Sequence, residues 1–567
     1  MARILRSFTT LLLASAVSAQ VDYSQYVNPF IGSEGPFEGL AFGGGDIFVG
    51  GAVPFGVAKV GIDTYETNVS FSTINGGYTP KGLVTAVSMM HESGTGGSAK
   101  YGIISQMPLN TLNGVNVLNN RTYWQKRVGE DVAKVGYFST KLENGVGVEL
   151  SAGRHTGIMQ YSFPAGDQHI LVDVSHYLPA EGGGGDSQFF AGGEIKLLAD
   201  GKTYTGMGSY GGGFSESAPM TTYFCGEFDT APDQAQTFRG RNMDPMGIYR
   251  YHNAQGPVPQ PTYGNTSETS GPLNDRIGAL FTWSDSGIAT IRSRVGISMI
   301  SVERACKYKN DEIPSWNLND AVSAAVEEWN TDVFSKIRVS TDSSQNRTNL
   351  DERESVVAEY GLMYYASMLR ATIDIWKWEG FMPDGRSGNY NGIVQGGSNA
   401  DNALADAYVK GLEGINWTEA YQAMLTDAEV VPYNTYSFVD PTNGIKEGRG
   451  ALYDWIPLGY VSSDRSTRAL SRSVEYALND FSLYQLAKDL APNDVKKYLR
   501  RSAQWQNTWD HNLKHKGFTG FLTPKLSNGK FNTTDYNPAL CGGCEWQDIS
   551  YEATPFGEPS MSLELAE

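Results

Sequence analysis

Three acidic residues and a tryptophan lie close together in CEWQDISYEATPF, which spans residues 544–556. Glu552 follows a tyrosine and precedes a Pro-Phe pair, so apolar neighbours flank it in the sequence. Such neighbours raise the pKa of a carboxyl group, and a carboxyl group with a raised pKa is suited to act as a general acid. Glu545 and Asp548, on either side of Trp546, have similar surroundings, and the pattern alone does not separate the three acids.

The densest group of polar side chains lies in GFMPDGRSGNYNGIVQGGSNADNALADAYVKG, a long loop that runs into a predicted helix. Its hydrogen-bonding residues are Asp384, Arg386, Asn389, Asn391, Asn399 and Asp401. Three aromatic residues lie nearby in the sequence: Trp376, Trp378 and Tyr390. Flat amphipathic rings beside polar groups suit the edge of a sugar-binding site. Asp401 has a second interpretation, since an Asp at the start of a helix commonly caps it.

His91 is surrounded by Ser, Gly and Thr residues in MMHESGTGG. Glycine clusters of this kind indicate a loop whose backbone approaches another group closely, either a ligand or another domain. A lone histidine more often has a structural role, so a structural and a substrate-binding role both stay open for His91. The chain has no HExxH motif and no suitably flanked Gly-x-Ser-x-Gly motif, which argues against a zinc protease and a serine hydrolase.

Length, charge and composition narrow the class of protein. At 567 residues the chain is long enough for two or three domains. Its formal net charge of −18 argues against a nucleic-acid partner, whose phosphates need Lys and Arg. The 31 Tyr and 11 Trp residues favour sugars as ligands instead, because aromatic rings stack on sugars.

The first 20 residues, MARILRSFTTLLLASAVSAQ, read as a signal peptide over residues 1–19, with cleavage after Ala19. Its apolar run is about half of the ~20 residues needed to span a bilayer, so it does not predict a membrane anchor. No later segment is long and apolar enough either, and we expect a secreted protein with no membrane partner. Six Asn-x-Ser/Thr sequons fit a glycoprotein: Asn68, Asn120, Asn265, Asn346, Asn416 and Asn532.

The four cysteines of a secreted chain are expected to form disulfides. Cys541 and Cys544 flank two glycines, and the sequence favours a tight local disulfide between them. Cys225 and Cys306 are then the remaining pair. The alternative for Cys541 and Cys544 is half of a zinc site, which lacks a second CxxC or a histidine pair at ligand spacing.

Residues 20–307 consist of short extended runs separated by Gly, Asn and Pro, a pattern typical of a β-sandwich. The clearest hairpin is GYFSTKLENGVGVELSAG, in which Asn144-Gly145 occupies the position of a type I′ turn. Helical spacing begins in NLNDAVSAAVEEWNTDVF, within a predicted helical linker over residues 308–345, and an asparagine is available to cap this helix.

From residue 346 to residue 567 the apolar spacing predicts pairs of helices around a common centre. One predicted αα-hairpin breaks at Pro492, which cannot continue a helix, and its second apolar stripe extends to Trp509. A β-sandwich followed by a ring of αα-hairpins recurs among glycosidases, although a fold alone does not determine the chemistry.

Several stretches, in the same order along the chain, resemble the calcium-dependent α-mannosidases of glycoside hydrolase family 92. YVNPFIG and GGAVPFGVAKVGIDT resemble the opening of the family, HESGTG resembles its His-x-Ser-Gly-Thr-Gly loop, and GYFSTKLENGVGVELSAGRHTG resembles a hairpin of it. IDIWKWEGFMPDGRSGNYNG, NADNALADAYVKG, GRGALYDWIPLGYV and VEYALNDFSLYQLAK resemble its helical domain. The resemblance implies a galactose-mutarotase-like β-sandwich followed by an incomplete (α/α)6 toroid of the six-hairpin glycosidase type.

The resemblance also implies roles for single residues. Glu552 in SYEATPF matches the place of the general acid, although nearly every residue after it differs from the family pattern. The loop of His91 is expected to close over the active site. The substrate-binding candidates are His91, Asp384, Arg386, Asp401 and Trp546. The implied reaction is inverting exo-hydrolysis of α-mannosides of the α-1,2 type, in N-glycans or mannoproteins, with Ca2+ helping to distort the mannose ring and orient water.

Two departures from the family pattern lead to a further expectation. The family continues after its acid with a portion that carries the base and the calcium ligands, whereas here GEPSMSLELAE follows Phe556. The family also has an aromatic, acidic stretch where Arg370 here runs directly into Ala371. The base and the metal ligands, expected beyond the C-terminus, are therefore not identified in this chain, and the chain itself is expected to be catalytically inactive. The alternative from another class is a non-catalytic carbohydrate-binding protein.

Overall fold

A computed structural model of the protein describes most of the chain. The described residues are 22–33, 47–65, 76–92, 101–179, 188–212, 219–243, 256–271, 275–284, 287–336, 365–384, 386–387, 390–391, 397–412, 414–432, 448–466 and 468–534. In residues 365–368, 386–387 and 390–391 the description covers the backbone alone. The predictions for the signal peptide over residues 1–19 and for Cys541, Cys544, Trp546 and Glu552 lie outside the described residues.

The first half of the described chain is built from strands. In chain order these are β1 (Gly50–Ala52), β2 (Lys59–Tyr65), β3 (Leu83–Met90), β4 (Ile103–Leu109), β5 (Val132–Lys134), β6 (Tyr137–Lys141), β7 (Gly147–Ala152), β8 (Thr156–Ser162), β9 (Gln168–Asp173), β10 (Phe189–Leu197), β11 (Thr203–Gly211), β12 (Met220–Phe228), β13 (Gln234–Gly240), β14 (Thr262–Gly264), β15 (Ser267–Thr269), β16 (Arg276–Trp283) and β17 (Thr290–Ser298). Within the described residues they form two sheets, with strand orders β1-β2-β3-β4-β9-β16-β13-β14 and β15-β10-β11-β12-β17-β8-β7-β6-β5. Strands of both sheets contribute to one hydrophobic core, which confirms the predicted β-sandwich.

Aromatic rings from the two sheets meet in this core. Phe228 of β12 packs edge-on against Phe281 and Trp283 of β16, with ring centroids 4.8 Å and 5.2 Å apart. Successive side chains of a strand point to opposite faces, so Phe281 and Trp283, two positions apart, reach the same face of their sheet. Such ring pairs stabilise the fold beyond the area that they bury.

The hairpin predicted at Asn144-Gly145 joins β6 to β7, but its turn differs from the prediction. Leu142 N donates to Val146 O at 2.9 Å, which leaves a loop of three residues. Gly145 has φ = +89°, whereas Asn144 does not adopt a positive φ, and a type I′ turn requires both. The Asn144 side chain accounts for the difference, because its Oδ1 accepts from Val146 N at 3.0 Å and its Nδ2 donates to Pro108 O.

Helix α1 (Val302–Glu312) follows the last strand of the sandwich and begins before the predicted start of the helical linker. Ser301 caps it, since its side-chain oxygen accepts a hydrogen bond from Arg304 N at 3.3 Å. The helix packs against β12 and β17. A disulfide between Cys225 and Cys306 ties it to β12, with a Cα–Cα distance of 5.0 Å. The helical part of the chain therefore begins on the surface of the sandwich.

Helix α2 (Leu318–Asp332) matches the helix predicted in the linker. Asn317 is its cap, because its Oδ1 accepts a hydrogen bond from Asn319 N at 3.2 Å. The helix packs against β7 and β8, and Trp329 Nε1 donates to the carbonyl oxygen of Ala52 in β1 at 2.8 Å. The predicted apolar stripe of α2 thus faces the sandwich.

The remaining helices of the described chain are α3 (Tyr365–Glu379), α4 (Asn399–Val409), α5 (Trp417–Glu429), α6 (Leu452–Leu458), α7 (Ala469–Leu490) and α8 (Val495–Ser502). Two short antiparallel pairs accompany them: β18 (Arg386–Ser387) with β19 (Tyr390–Asn391), and β20 (Trp509–His515) with β21 (Phe518–Leu522). Helix α7 packs against α4, α5 and α8. The (α/α)6 toroid stays a prediction, because residues 337–364 and 535–567 lie outside the described chain.

The lengths of the helices differ from the prediction in one place. The predicted αα-hairpin is formed by α7 and α8, which are separated at Pro492. Its second helix ends at Ser502, residues 504–508 form a 3-10 turn, and Trp509 begins β20 rather than extending the helical stripe. The sequence WDHN from Trp509 onward has low helix propensity, which accounts for the early end. In the part of the chain that the structure describes, no helix is both long and apolar enough to cross a membrane.

Candidate functional site

The first candidate site surrounds His91, which lies directly after β3. His91 Nε2 lies 2.6 Å from Oδ1 of Asp63, a residue of β2. Nε2 of His176, in the loop after β9, lies 2.7 Å from Asp63 Oδ2. Ser88 Oγ donates a further hydrogen bond to Asp63 Oδ1 at 3.0 Å. All four side chains are buried, so one carboxylate joins three segments of the same sheet.

The hydrogen bonds fix the His91 ring between two oxygen atoms. His91 Nδ1 lies 2.7 Å from the carbonyl oxygen of Lys59, and its Nε2 faces Asp63. Burial opposes the ionisation of Asp63, but hydrogen bonds and charges from His176 and His91 outweigh burial and lower the pKa of Asp63. The cluster is therefore centred on the Asp63 carboxylate.

The cluster holds one end of the segment 93–100, which itself lies outside the described residues. At the other end, Tyr101 N donates to Gln188 Oε1 at 2.9 Å, and Gln188 Nε2 donates to Tyr101 O at 2.8 Å. Gly102 N donates to Met90 O at 2.8 Å and so draws the two ends together. The segment therefore starts and finishes at neighbouring, fixed points of the sandwich.

The ring of His91 is tightly enclosed. Gly77 has φ = +83°, and a Cβ atom there would lie 2.4 Å from His91 Cδ2. A Cβ atom at Gly61 would lie 3.3 Å from His91 Cε1, and Phe48 stacks on the ring with centroids 5.1 Å apart. With 3% of its surface exposed, His91 is held firmly beside the neighbouring segment, and its predicted substrate-binding role stays a prediction.

The polar residues predicted before α4 occupy different environments. Asp384 is half-buried, and its Oδ1 accepts a hydrogen bond from Asn399 Nδ2. The side chain of Arg386 lies outside the described atoms. Asp401 is fully buried inside α4, and the cap position of this helix is Ser398, so the interpretation of Asp401 as a cap is wrong. The helix simply begins two residues before Asp401, at Asn399.

Asp401 belongs to a network of buried charges centred on Arg449. Arg449 Nη2 donates to Asp401 Oδ2 at 2.8 Å, and Arg449 Nη1 donates to Asp480 Oδ1 at 2.6 Å. Asp480 Oδ2 in turn accepts from Arg501 Nε and from Trp455 Nε1, both at 2.8 Å. The side chains of Arg449 and of its two acidic partners are 0% exposed. The network thus joins α4, α6, α7 and α8 through groups that water does not reach.

A third buried acid, Asp427 of α5, forms no ion pair in the described chain. Its Oδ1 accepts from Met382 N at 3.2 Å, and its Oδ2 accepts from Ser398 Oγ at 2.7 Å. Burial and the charge of Asp401 raise the pKa of Asp427 well above its ordinary value. Burial also raises the pKa of Asp401 to about 7, even though it lies beside Arg449. Asp427 therefore favours its protonated form more than an exposed aspartate does.

We expect the helical region to be more stable at about pH 5 than at about pH 8. An acid whose pKa rises on folding stabilises the fold fully below its unfolded pKa of about 3.9. That contribution is lost as the pH rises through the folded pKa, which is about 7 for Asp401. Melting temperatures at the two pH values measure the effect. Asp427→Asn mimics the protonated acid and should reduce the difference in melting temperature between the two pH values. An unchanged difference in this variant would contradict the contribution of Asp427 to the pH dependence.

The described residues do not fit a calcium ion. Calcium takes about six to eight oxygen ligands, several of them carboxylates. In the described ranges no group of three or more His, Cys, Asp or Glu side chains has the arrangement of a metal site. Asp401, Asp427 and Asp480 each accept hydrogen bonds from guanidinium, hydroxyl, indole or backbone N–H groups, as given above.

The sequence did not reveal the polar partners of His91 and Asp401. Asp63 directly follows the apolar run VGI, and His176 lies near the end of HILVDVSHYL. Arg449 stands between two glycines in GRGALYDW. A charged residue inside an apolar run is costly to bury without a partner, and this cost is the signal that points to such clusters. In the described chain His91 has its polar partners in the sandwich, and Asp401 has its polar partner in the helical region.

Comparison with known proteins places these residues in a family. The chain matches the Glycosyl hydrolase family 92 N-terminal domain over residues 26–298 and the Glycosyl hydrolase family 92 catalytic domain over residues 362–556. A curated relative from Arthroderma benhamiae, described as an uncharacterized secreted glycosidase, is 28% identical over 579 residues, which are 94% of this chain and 69% of the relative.

Two solved structures with the same fold come from Bacteroides thetaiotaomicron. One is a family GH92 α-mannosidase in complex with mannoimidazole, with 18% identity, a TM-score of 0.67, and coverage of 94% of this chain and 69% of that chain. Another is a family GH92 inverting mannosidase, with 19% identity, a TM-score of 0.69, and coverage of 92% of this chain and 68% of that chain. The two domain matches cover most of the sequence, and the order of sandwich and helices agrees with them. The chain belongs to glycoside hydrolase family 92.

Proposed function

We propose that this protein is a secreted glycosidase-family protein that recognises terminal α-linked mannose in N-glycans or mannoproteins. The observation that carries the proposal is the buried cluster of Asp63, His91 and His176 at the base of segment 93–100. This segment corresponds to the family loop expected to close over the active site. A loop fixed at both ends by buried polar contacts is suited to shape a sugar site, because binding geometry depends on such support.

Further support comes from the relatives. Two structures with the same fold are mannosidases, and one of them is in complex with mannoimidazole. The relative from Arthroderma benhamiae is described as secreted, which agrees with the signal peptide predicted over residues 1–19. Calcium enters the proposal from the family resemblance alone.

Glu552 is the proposed general acid, which would protonate the oxygen of the leaving sugar. Asp384, Arg386 and Trp546 are the proposed substrate contacts. In inverting hydrolysis a second carboxylate activates water on the other side of the sugar, about 6.5–9.5 Å from the acid. Glu552 matches the family's acid, and no residue of the chain has been matched to the base. We therefore propose that the chain binds α-mannosides through these matched residues.

Isothermal titration calorimetry with α-1,2-mannobiose tests the proposal, and free mannose is assayed in the same samples after prolonged incubation with calcium. We expect saturable binding, and any release of mannose reports hydrolysis. Absence of binding would overturn the proposed recognition of mannose.

A further inference from the structure

A cavity lies in the sandwich, and His91 is not among the residues that line it. Its volume is about 450 Å³, within the range of cavities that hold small ligands. Leu83, the first residue of β3, lines it, whereas His91 follows the last residue of the same strand. A strand rises about 3.3 Å per residue, so the eight residues of β3 place Leu83 about 25 Å from His91. Tyr78, another lining residue, follows Gly77, which packs against the His91 ring, so the cavity borders the His91 cluster at this end.

One wall of the cavity is a rigid group of buried polar side chains. Asp131 Oδ2 accepts hydrogen bonds from Tyr78 Oη at 2.7 Å and from Arg127 Nη1 at 2.5 Å. Arg127 Nη2 donates to the carbonyl oxygens of Thr79 and Gly82 at 2.6 Å and 3.1 Å. The side chains of Arg127 and Asp131 are only 7% and 8% exposed. This group is held in place before any ligand arrives, as a specific polar site requires.

The same group keeps unused hydrogen-bonding capacity. Both bonds to Asp131 end on Oδ2, and Oδ1 has no partner in the described chain. A carboxylate oxygen accepts hydrogen bonds, so the complementary ligand is one that presents O–H or N–H groups. Arg127 donates three bonds, and a guanidinium group has five N–H groups. The cavity therefore offers an acceptor and donors side by side.

An aromatic ring also lines the cavity, beside charges of both signs. Phe30 is half-buried and its ring lies 5.8 Å from the ring of Tyr78. Exposed Lys81, Lys126 and Glu130 complete the charged lining. With Arg127 and Asp131 the lining holds three cationic and two anionic side chains, so neither sign of charge dominates it. An apolar ring beside fixed polar groups is complementary to a neutral sugar, which has an apolar C–H face and hydroxyl edges.

We propose that this cavity is an accessory carbohydrate site that holds one or two neutral hexose residues of the glycan that the protein recognises. A sugar hydroxyl would donate to Asp131 Oδ1, the guanidinium of Arg127 would donate to a sugar oxygen, and the ring of Phe30 would pack against the C–H face. The site binds the sugar without catalysing a reaction. The accessory site binds the same glycan as the proposed function requires but uses different residues. An experiment can therefore contradict one of the two proposals without contradicting the other.

Calorimetric titration with a linear α-1,2-mannotriose tests the site. We expect two binding sites in the native chain and one in Asp131→Asn, because the amide N–H₂ group cannot replace both acceptor oxygens. Phe30→Leu keeps apolar volume but removes the ring, and we expect it to weaken the same site about tenfold. Glu327→Gln, which removes one exposed carboxylate from α2, is the matched control and should leave both sites intact.

Circular dichroism and melting temperature establish whether the variants are folded. If Asp131→Asn does not fold, mannotriose binding by Phe30→Leu tests the site instead. The proposal is overturned if both folded variants bind mannotriose like the native chain. It is also overturned if inorganic phosphate, and not the sugar, binds in an Asp131-dependent manner. If mannotriose binding depends wholly on Asp131 and Phe30, the accessory site stands and recognition at the His91 loop fails.

Discussion

Arg449→Met will destabilise the helical region by about 3–5 kcal/mol, the usual cost of removing one partner from a buried ion pair. The guanidinium of Arg449 separates Asp401 from Asp480, and all three side chains are 0% exposed. Without it, two buried carboxylates lose their shared cation. One of them must then take up a proton or draw water into the core, and both responses cost free energy of folding.

Chemical denaturation followed by helical circular dichroism measures this loss. Arg500→Met is the matched control, because Arg500 is exposed on α8, and it should change stability by less than about 0.5 kcal/mol. Adding Asp401→Asn to Arg449→Met should recover part of the loss, since the second change removes one of the uncompensated charges. A loss below about 1 kcal/mol in Arg449→Met, the scale of a surface ion pair, would mean that the network is not a buried electrostatic core.

Asp63→Asn will destabilise the sandwich by about 3 kcal/mol or more and will also abolish binding of α-mannosides. Asn offers one acceptor oxygen where Asp63 now accepts from His91, His176 and Ser88. Its N–H₂ group would face a ring N–H group, and His91 would lose the carboxylate oxygen that its Nε2 contacts. The segment 93–100 would then lose the support at its first end.

Two readouts separate this positioning role from a general loss of stability. Binding of mannobiose is measured at a temperature where Asp63→Asn is still folded, and the loss should persist there. Asp275→Asn breaks a half-exposed ion pair with Arg239 in the same domain, and it should cost about 1 kcal/mol or less without affecting binding. Full mannoside binding by folded Asp63→Asn would contradict the proposed link between the cluster and the sugar site.

The sandwich was predictable because strand periodicity is local. The runs around β6 and β7 alternate within a few residues, and the stripe of α2 repeats within one helix. Helix α1 was not predicted, because VERACKYKNDE buries mainly Ala305 and Lys309 and has no apolar stripe. Its position depends on Cys306 and on packing against β12 and β17, which sequence spacing does not report.

The candidate site was predictable only in part, for a topological reason. The sequence motif points to His91, but Asp63 lies 28 residues before it. His176 lies 113 residues after Asp63. The strand order β2-β3-β4-β9 brings these segments together, and only the folded sheet shows that they share one carboxylate. Asp401 illustrates the opposite case, since its place near a helix start suggested a surface cap while tertiary packing buries it against Arg449.

The most direct test of mannose recognition is whether the native chain distinguishes mannose from glucose in the same linkage. Calorimetric titrations with α-1,2-mannobiose and with α-1,2-glucobiose compare sugars that differ only in the configuration at C2. We expect the mannoside to bind at least about tenfold more tightly, a difference of about 1.4 kcal/mol. Equal affinity for the two disaccharides, or binding of neither, would contradict the account that this chain is a mannose-recognising member of glycoside hydrolase family 92.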